Sequence, residues 1–215
     1  QTSDAVTAPP ISVTAQRKAV PAFEAPGFVE VITREEIELR SPSSLDDAIG
    51  QVPGLSFFGG PRRTGEEPSI RGFSGPDVIV TIDGARQNFN SGHDGRVFID
   101  PQFLSEAEIV KGSSSALYGS GGTGGVIALR TVTAEDFLRE GETMGGRLSG
   151  SYATNDGEGA VTATAFAKPL DNIDLLAGFQ FRKSGDIQLG GDGELNAQDD
   201  IRSGLVKGSV AFGDG

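Results

Sequence analysis

Cysteine and tryptophan are absent from this 215-residue chain, and histidine occurs once. Without thiols there is no disulfide framework, no thiolate nucleophile and no cysteine metal site. A single histidine leaves little for general acid–base work and no nucleophile stands beside a base, so the residues point away from an enzyme. Long apolar runs are missing too. Nothing approaches the roughly 20 residues that a membrane-spanning helix needs, and no charged-then-apolar secretion signal opens the sequence. Membrane proteins built from strands stay open, because barrel strands alternate sides and give no strong hydropathy peak. In that case the export signal is expected to have been removed. Positive charge is also scarce: 18 basic residues face 30 acidic ones, for a formal net charge of −12 and a pI near 4.5. Such a surface repels phosphate backbones, and no nucleic-acid partner is expected.

What is present is glycine, 32 residues of it, in a chain only 36% apolar, which does not suggest one dense core. Residues 1–22 are rich in Pro, Ala, Thr and Ser and read as an extended, mobile tail. Inside it Ile11, Ser12, Val13, Thr14 and Ala15 alternate β-branched side chains just after Pro9-Pro10, a pattern suited to joining the edge of another protein's sheet. A plain linker is the other reading of that segment.

Residues 23–133 read as a compact α+β domain with a mixed sheet and short helices. Phe28 to Ile32 is a strand, followed by a Thr33–Glu36 capping box that opens a helix. Ser44 starts a second helix with Leu45, Ala48, Ile49 and Val52 on one face, stopped by Pro53-Gly54. Residues 69–73 and 78–82 read as strands, the second turning at Asp83-Gly84. Asp100-Pro101 caps a short helix through Leu104, Ala107 to Val110 returns to the sheet, and Ser113 to Tyr118 is a helical turn before a strand over 126–131.

After a charged connector over 134–145, residues 146–215 change texture to segments of about ten alternating residues separated by Gly, Asp and Asn, as in a membrane barrel. About four such strands are expected. Leu148, Gly150 and Tyr152 share a face in the first, and Val161, Ala163, Ala165 and Ala167 in the second. Leu175, Ala177, Phe179 and Phe181 oppose Gln180 and Arg182 in the third; Val206, Gly208, Val210 and Phe212 oppose Lys207 and Ser209 in the fourth. Four strands do not close a barrel. Gly119, Gly121 and Gly124 spell G-x-G-x-x-G, but that fingerprint needs a strand before it and a helix after it. Here the order is reversed, which leaves tight turns and close backbone approach as the reading.

Five ordered stretches together resemble the TonB-dependent outer-membrane receptors: residues 11–15, like a TonB box; 43–55 (SSLDDAIGQVPGL); 69–73 (SIRGF); 82–84 (IDG); and 109–129 (IVKGSSSALYGSGGTGGVIAL). The resemblance covers residues 22–133, the plug of that family. It implies a bacterial outer-membrane transporter whose plug fills a large barrel and acts as a gate. A periplasmic energy-coupling protein of the TonB type captures residues 11–15 by strand addition. With ten residues before that box, no extra N-terminal signalling domain is expected. Arg71 and Lys111 match positions where the family places basic residues facing acidic groups of the barrel wall. Solvated surface charges are the alternative.

Residues 83–96 look closest to the subfamily that takes up haem, free or from haem-carrying proteins. By that resemblance His93, the sole histidine, is a candidate axial ligand of haem iron, the second ligand coming from a barrel loop. An exposed loop histidine is the plain alternative. Haem is then a transported ligand, and no permanently bound cofactor is expected. A ferric-siderophore receptor is the second reading, with Phe57, Phe58, Arg62 and Arg63 at the plug apex holding cargo. A passive pore or an adhesin is the third.

Overall fold

The computed structural model describes residues 28–60, 63, 65–89, 97–113, 120–190 and 193–212, together with the backbone of 12–13 and 20–21. Two strands of two residues, β1 (Ser12–Val13) and β2 (Val20–Pro21), pair antiparallel. The tail, expected to be simply extended, therefore folds back on itself at this point.

Strand β3 (Phe28–Thr33) feeds helix α1 (Arg34–Arg40). The Thr33 hydroxyl accepts from the Glu36 amide at 3.5 Å and the Glu36 carboxylate accepts from the Thr33 amide at 2.9 Å, the reciprocal box that the sequence encodes. Ser44 caps α2 (Leu45–Ile49), its hydroxyl accepting from the Asp47 amide at 3.1 Å. Leu45, Ala48, Ile49 and Val52 are all buried, as their spacing predicts. There follow a hairpin of β4 (Leu55–Phe58) and β5 (Glu67–Ile70), then β6 (Val78–Ile82), β7 (Ala85–Arg86), β8 (Leu104–Lys111) and β9 (Gly125–Thr131). Among the described residues one sheet runs β3-β8-β9-β6-β7, with β6 and β9 parallel and the other pairs antiparallel. Ile37, Ile49, Ile70, Val80, Ile109 and Ile127 meet on one side of it as the main core, while Ile79, Val110 and Val126 form a smaller cluster.

Three local expectations change. The strand expected over 69–73 ends at Ile70. Arg71 and Gly72 take left-handed angles (φ 52° and 86°), and Ile70 and Phe73 exchange backbone hydrogen bonds of 2.9 and 3.0 Å around that turn. The helix after Asp100 is one 3-10 turn, Pro101–Phe103, and Leu104 already belongs to β8. Most of the turn expected at 113–118 lies outside the described residues. The glycine run has the structural role inferred for it: a Cβ on Gly121 would lie 2.2 Å from the Pro76 carbonyl oxygen, and one on Gly125 2.2 Å from that of Val110.

Beyond a 3-10 turn at Ala134–Asp136 the second body begins: β10 (Met144–Tyr152), β11 (Gly159–Leu170), β12 (Ile173–Ser184), a small pair β13 (Ile187–Gln188) and β14 (Glu194–Leu195), and β15 (Asp199–Val210). β10, β11, β12 and β15 form an antiparallel sheet in that order, not closed on itself among the described residues. Its burial is the inverse of a water-soluble sheet. Leu148, Val161, Leu175, Phe179 and Val206 are exposed, whereas Thr162, Thr164, Gln180 and Arg182 are buried beneath them. Exposed apolar area costs on the order of 25 cal/mol per Å² in water, so this face requires an apolar solvent. It is the wall of a transmembrane barrel with its lipid face outward. Among the described residues no helix is long and apolar enough to cross a membrane.

Candidate functional site

The polar inner face of the wall receives the plug, and the two meet at three levels. The 171–172 turn between β11 and β12 is short, whereas the connections over 153–158 and 185–198 are longer. In outer-membrane barrels short turns face the periplasm and long loops the exterior. The long-loop end is therefore the outer end.

At that end Arg63, in the loop between β4 and β5, reaches a box of three wall carboxylates. It pairs with Asp156, with Glu158 at 2.7 Å and with Asp199 at 3.1 Å, and it donates to the Ser184 hydroxyl at 3.0 Å. Arg182 pairs with Glu158 from the wall side. Burial by itself lowers the pKa of Arg63, but Glu158, Asp199 and Asp156 outweigh it and hold the guanidinium charged. Two residues on, Gly65 donates to the Val97 carbonyl at 3.0 Å and Glu66 bridges to Val97, which holds Val97 beside this loop. The Glu66 carboxylate then accepts from the Leu45 and Asp46 amides at 2.8 and 3.2 Å, tying this loop to the start of α2. Burial, its largest influence, raises the Glu66 pKa to about 7 against the pull of those amides.

Midway, Asp100 caps its 3-10 turn and faces the wall. Gln180, its amide nitrogen turned to the carboxylate, donates to Asp100 at 2.6 Å, and the Ser203 hydroxyl donates at 3.4 Å. Beside it Phe103 packs with Val132, Ala134, Phe166 and Leu176. The ring lies directly on Gly178, where a Cβ would sit 2.5 Å from the Phe103 Cε1. At the inner end Asp83 accepts from the Thr131 amide at 2.9 Å and from its hydroxyl, and Lys207 of the wall pairs with it at 3.1 Å. Burial raises the Asp83 pKa, but these donors outweigh it and the net shift is downward.

His93 and Arg62 lie outside the described residues, as do the side chains of residues 11–15. Described residues flank His93 closely: the rings of Phe89 and Phe98 meet edge to face at 5.6 Å, and both are exposed. Phe57 is half-buried against the core and Phe58 exposed. Arg71 stacks over the Phe28 ring at 5.1 Å. Lys111 pairs with Glu30 of the plug itself. Glu30 stands opposite Ile109, so Lys111 is one pleat along on the same face of the adjacent strand, within easy reach. Arg63, named with the cargo-binding set, is engaged by the wall instead. The wall contacts of Asp83, Asp100, Phe103 and Arg63 carry no local signal in the sequence, because each partner is far along the chain. Phe89 and Phe98 did offer one: large apolar residues at either side of a Gly/Asn/Asp loop.

Residues 21–126 match the family described as TonB-dependent Receptor Plug Domain. The chain is 36% identical over 197 residues to a hemin receptor of Yersinia pestis, an alignment that takes in 92% of this chain and 29% of that protein. The hemophore receptor HasR of Serratia marcescens, solved as a double mutant with its hemophore HasA and heme, superposes with a TM-score of 0.77 at 28% identity, over 86% of this chain and 29% of that one. The FrpB iron transporter of Neisseria meningitidis superposes with a TM-score of 0.74 at 26% identity, over 87% and 30%. This chain thus spans under a third of the curated relatives' length.

Proposed function

The chain belongs to the TonB-dependent receptor family, and from that membership we propose that the whole protein is an outer-membrane transporter for haem, gated by its plug and powered from the periplasm. Residues 23–133 are the plug, followed by the connection expected over 134–145, of which Met144 and Gly145 already pair in β10, and by the first wall strands. Residues 11–15 are the segment a TonB-type partner takes hold of. In this reading the plug works as a gate and not as a catalyst.

The observation that carries the haem reading is the similarity to a hemin receptor along 92% of the chain, which runs through the His93 region. The exposed Phe89–Phe98 pair supports it, since it offers apolar aromatic surface close to His93 in the sequence, of a kind that suits a flat apolar macrocycle. A ferric-siderophore cargo is the second reading, favoured by the likeness to an iron transporter. The engagement of Arg63 by wall carboxylates counts against it. Haem titration of the full-length receptor, followed at the Soret band, is the test. His93→Ala is expected to shift the band and weaken binding; an unchanged spectrum and unchanged haem-dependent growth would remove His93 from the site.

A further inference from the structure

Most basic residues of the wall are engaged by carboxylates. Arg147 pairs with Glu38, Lys168 with Glu135, Arg182 with Glu158 and Lys207 with Asp83. Lys183 and Arg202 differ, because both point outward, to the lipid side. On β12 the outward positions are apolar from Leu175 to Phe181 and then present Lys183; on β15 they are uncharged from Val210 to Gly204 and then present Arg202. Both cations lie at the outer end. Charge on the lipid face of a barrel is destabilising at mid-bilayer and tolerated at the interface, so this pair marks the headgroup level of the outer leaflet.

In the register of the sheet Tyr152 stands opposite Gly159, Gly159 opposite Lys183, and Lys183 opposite Asp200, so the four share one row of the outward face. Tyr152 and Lys183 are two strands apart, about 10 Å between their Cα atoms. The position between them carries no side chain, and a Cβ at Gly159 would have nothing within 4 Å. In the next row inward Phe181 stands opposite Arg202, whose guanidinium lies 5.8 Å from the ring centre. The row therefore holds an open notch, with an exposed phenol on one side, an ammonium on the other and a guanidinium behind the ammonium. Among the described residues Lys183 has no carboxylate partner. Arg202 has an exposed pair with Asp200 at 3.4 Å, a kind of contact that contributes little in water.

An aromatic girdle accounts for Tyr152 and Phe181 but not for two cations beside an unfilled glycine, in a chain with 30 acidic residues against 18 basic ones. An ammonium, a guanidinium and a phenol together suit an anion with several oxygens, as a phosphate has. The location selects its carrier. Two rows inward from the notch lies a shallow apolar groove, where Ala163 stands between Leu148 and Phe179 and Ala165 beside Ala177. A lipid with its phosphate in the notch lays its acyl chains along that groove.

We propose that Tyr152, Gly159, Lys183 and Arg202 form a seat for a phosphate-bearing lipid of the outer leaflet, with the phosphate on the two cations and the chains on the groove below. The seat depends on the orientation of the wall and is independent of plug and cargo.

The test titrates the full-length receptor, purified in neutral detergent, with bisphosphorylated lipid A and counts bound lipid by native mass spectrometry. Wild type is expected to bind this lipid severalfold more tightly than its fully dephosphorylated form. Lys183→Gln combined with Arg202→Gln should remove that preference, and Lys183→Arg combined with Arg202→Lys should keep it. Gly159→Leu fills the notch without changing charge and should weaken binding severalfold. Equal binding of the dephosphorylated lipid, or a double Gln variant that binds as wild type does, overturns the seat. So does displacement of the lipid by millimolar inorganic phosphate, which would make the notch a free-anion site. A receptor dimer that forms without lipid and comes apart in the Gln variants would assign this face to a second copy and overturn it too. If the double Gln variant does not fold, the two single variants and Gly159→Leu decide.

Discussion

Glu66 is a carboxylate placed where its charge is poorly solvated and its hydrogen bonds are good. Burial dominates, so its proton is held to about pH 7 in the folded chain against an ordinary value of 4.5. The folded state then binds more protons than the unfolded state between those values, and stability falls as pH rises through that window, levelling off above about 7. At about 1.4 kcal/mol per unit the whole effect is on the order of 3 kcal/mol. Glu66→Gln keeps an acceptor for the Leu45 amide but cannot titrate, and should flatten the slope. Unfolding midpoints measured from pH 4.5 to 8 check this, and a variant with the wild-type slope would sink the assignment. Neither the burial nor the amides are visible around Glu66 in the sequence, because they come from a helix some twenty residues earlier. The capping pair Thr33 and Glu36, three residues apart, was legible for the opposite reason.

The elements of plug and wall were legible wherever their signals are local: the two capped helices, the β6 turn at Asp83-Gly84, and the alternation of β10, β11, β12 and β15. Strand β5 was misjudged at its end because Arg71 gives no hint of a left-handed angle, and only the closing of the turn onto Phe73 requires it. The seat of the plug is an event between elements. Gly178 looks like any strand glycine, yet the Phe103 ring rests on it. Gly178→Val improves strand propensity and is nonetheless expected to lift the plug off the wall, with Phe103→Ala in the same chain restoring seating by making room. Limited proteolysis of the plug in the assembled receptor reads both, and equal protease resistance in Gly178→Val and wild type would show that the contact does not matter.

The proposed transporter divides its labour along the chain. In that proposal residues 11–15 serve as the handle and the plug as the gate, and the wall supplies the membrane face and ion-pair partners of the plug. Removing residues 11–15 from the full-length receptor should therefore abolish energised haem uptake and leave haem binding intact. Uptake that survives the deletion favours a passive pore, and loss of binding as well would mean that the segment supports the fold. Within that segment Ser12–Val13 pairs with Val20–Pro21.

Taken by itself, the sequence determined the class of protein, because the signals for it are short-range: alternation at period two, caps three residues apart, turn dipeptides, and ordered motifs whose spacing is a property of one strand of text. It also excluded thiol chemistry within this chain by its lack of cysteine. Only the tertiary structure decided which charges pair. Arg63 finds Asp199, Asp83 finds Lys207, and Lys111 turns to Glu30 within the plug, because ion pairing depends on distance in space and on the exclusion of water, and folding sets both across 81 to 136 residues of chain.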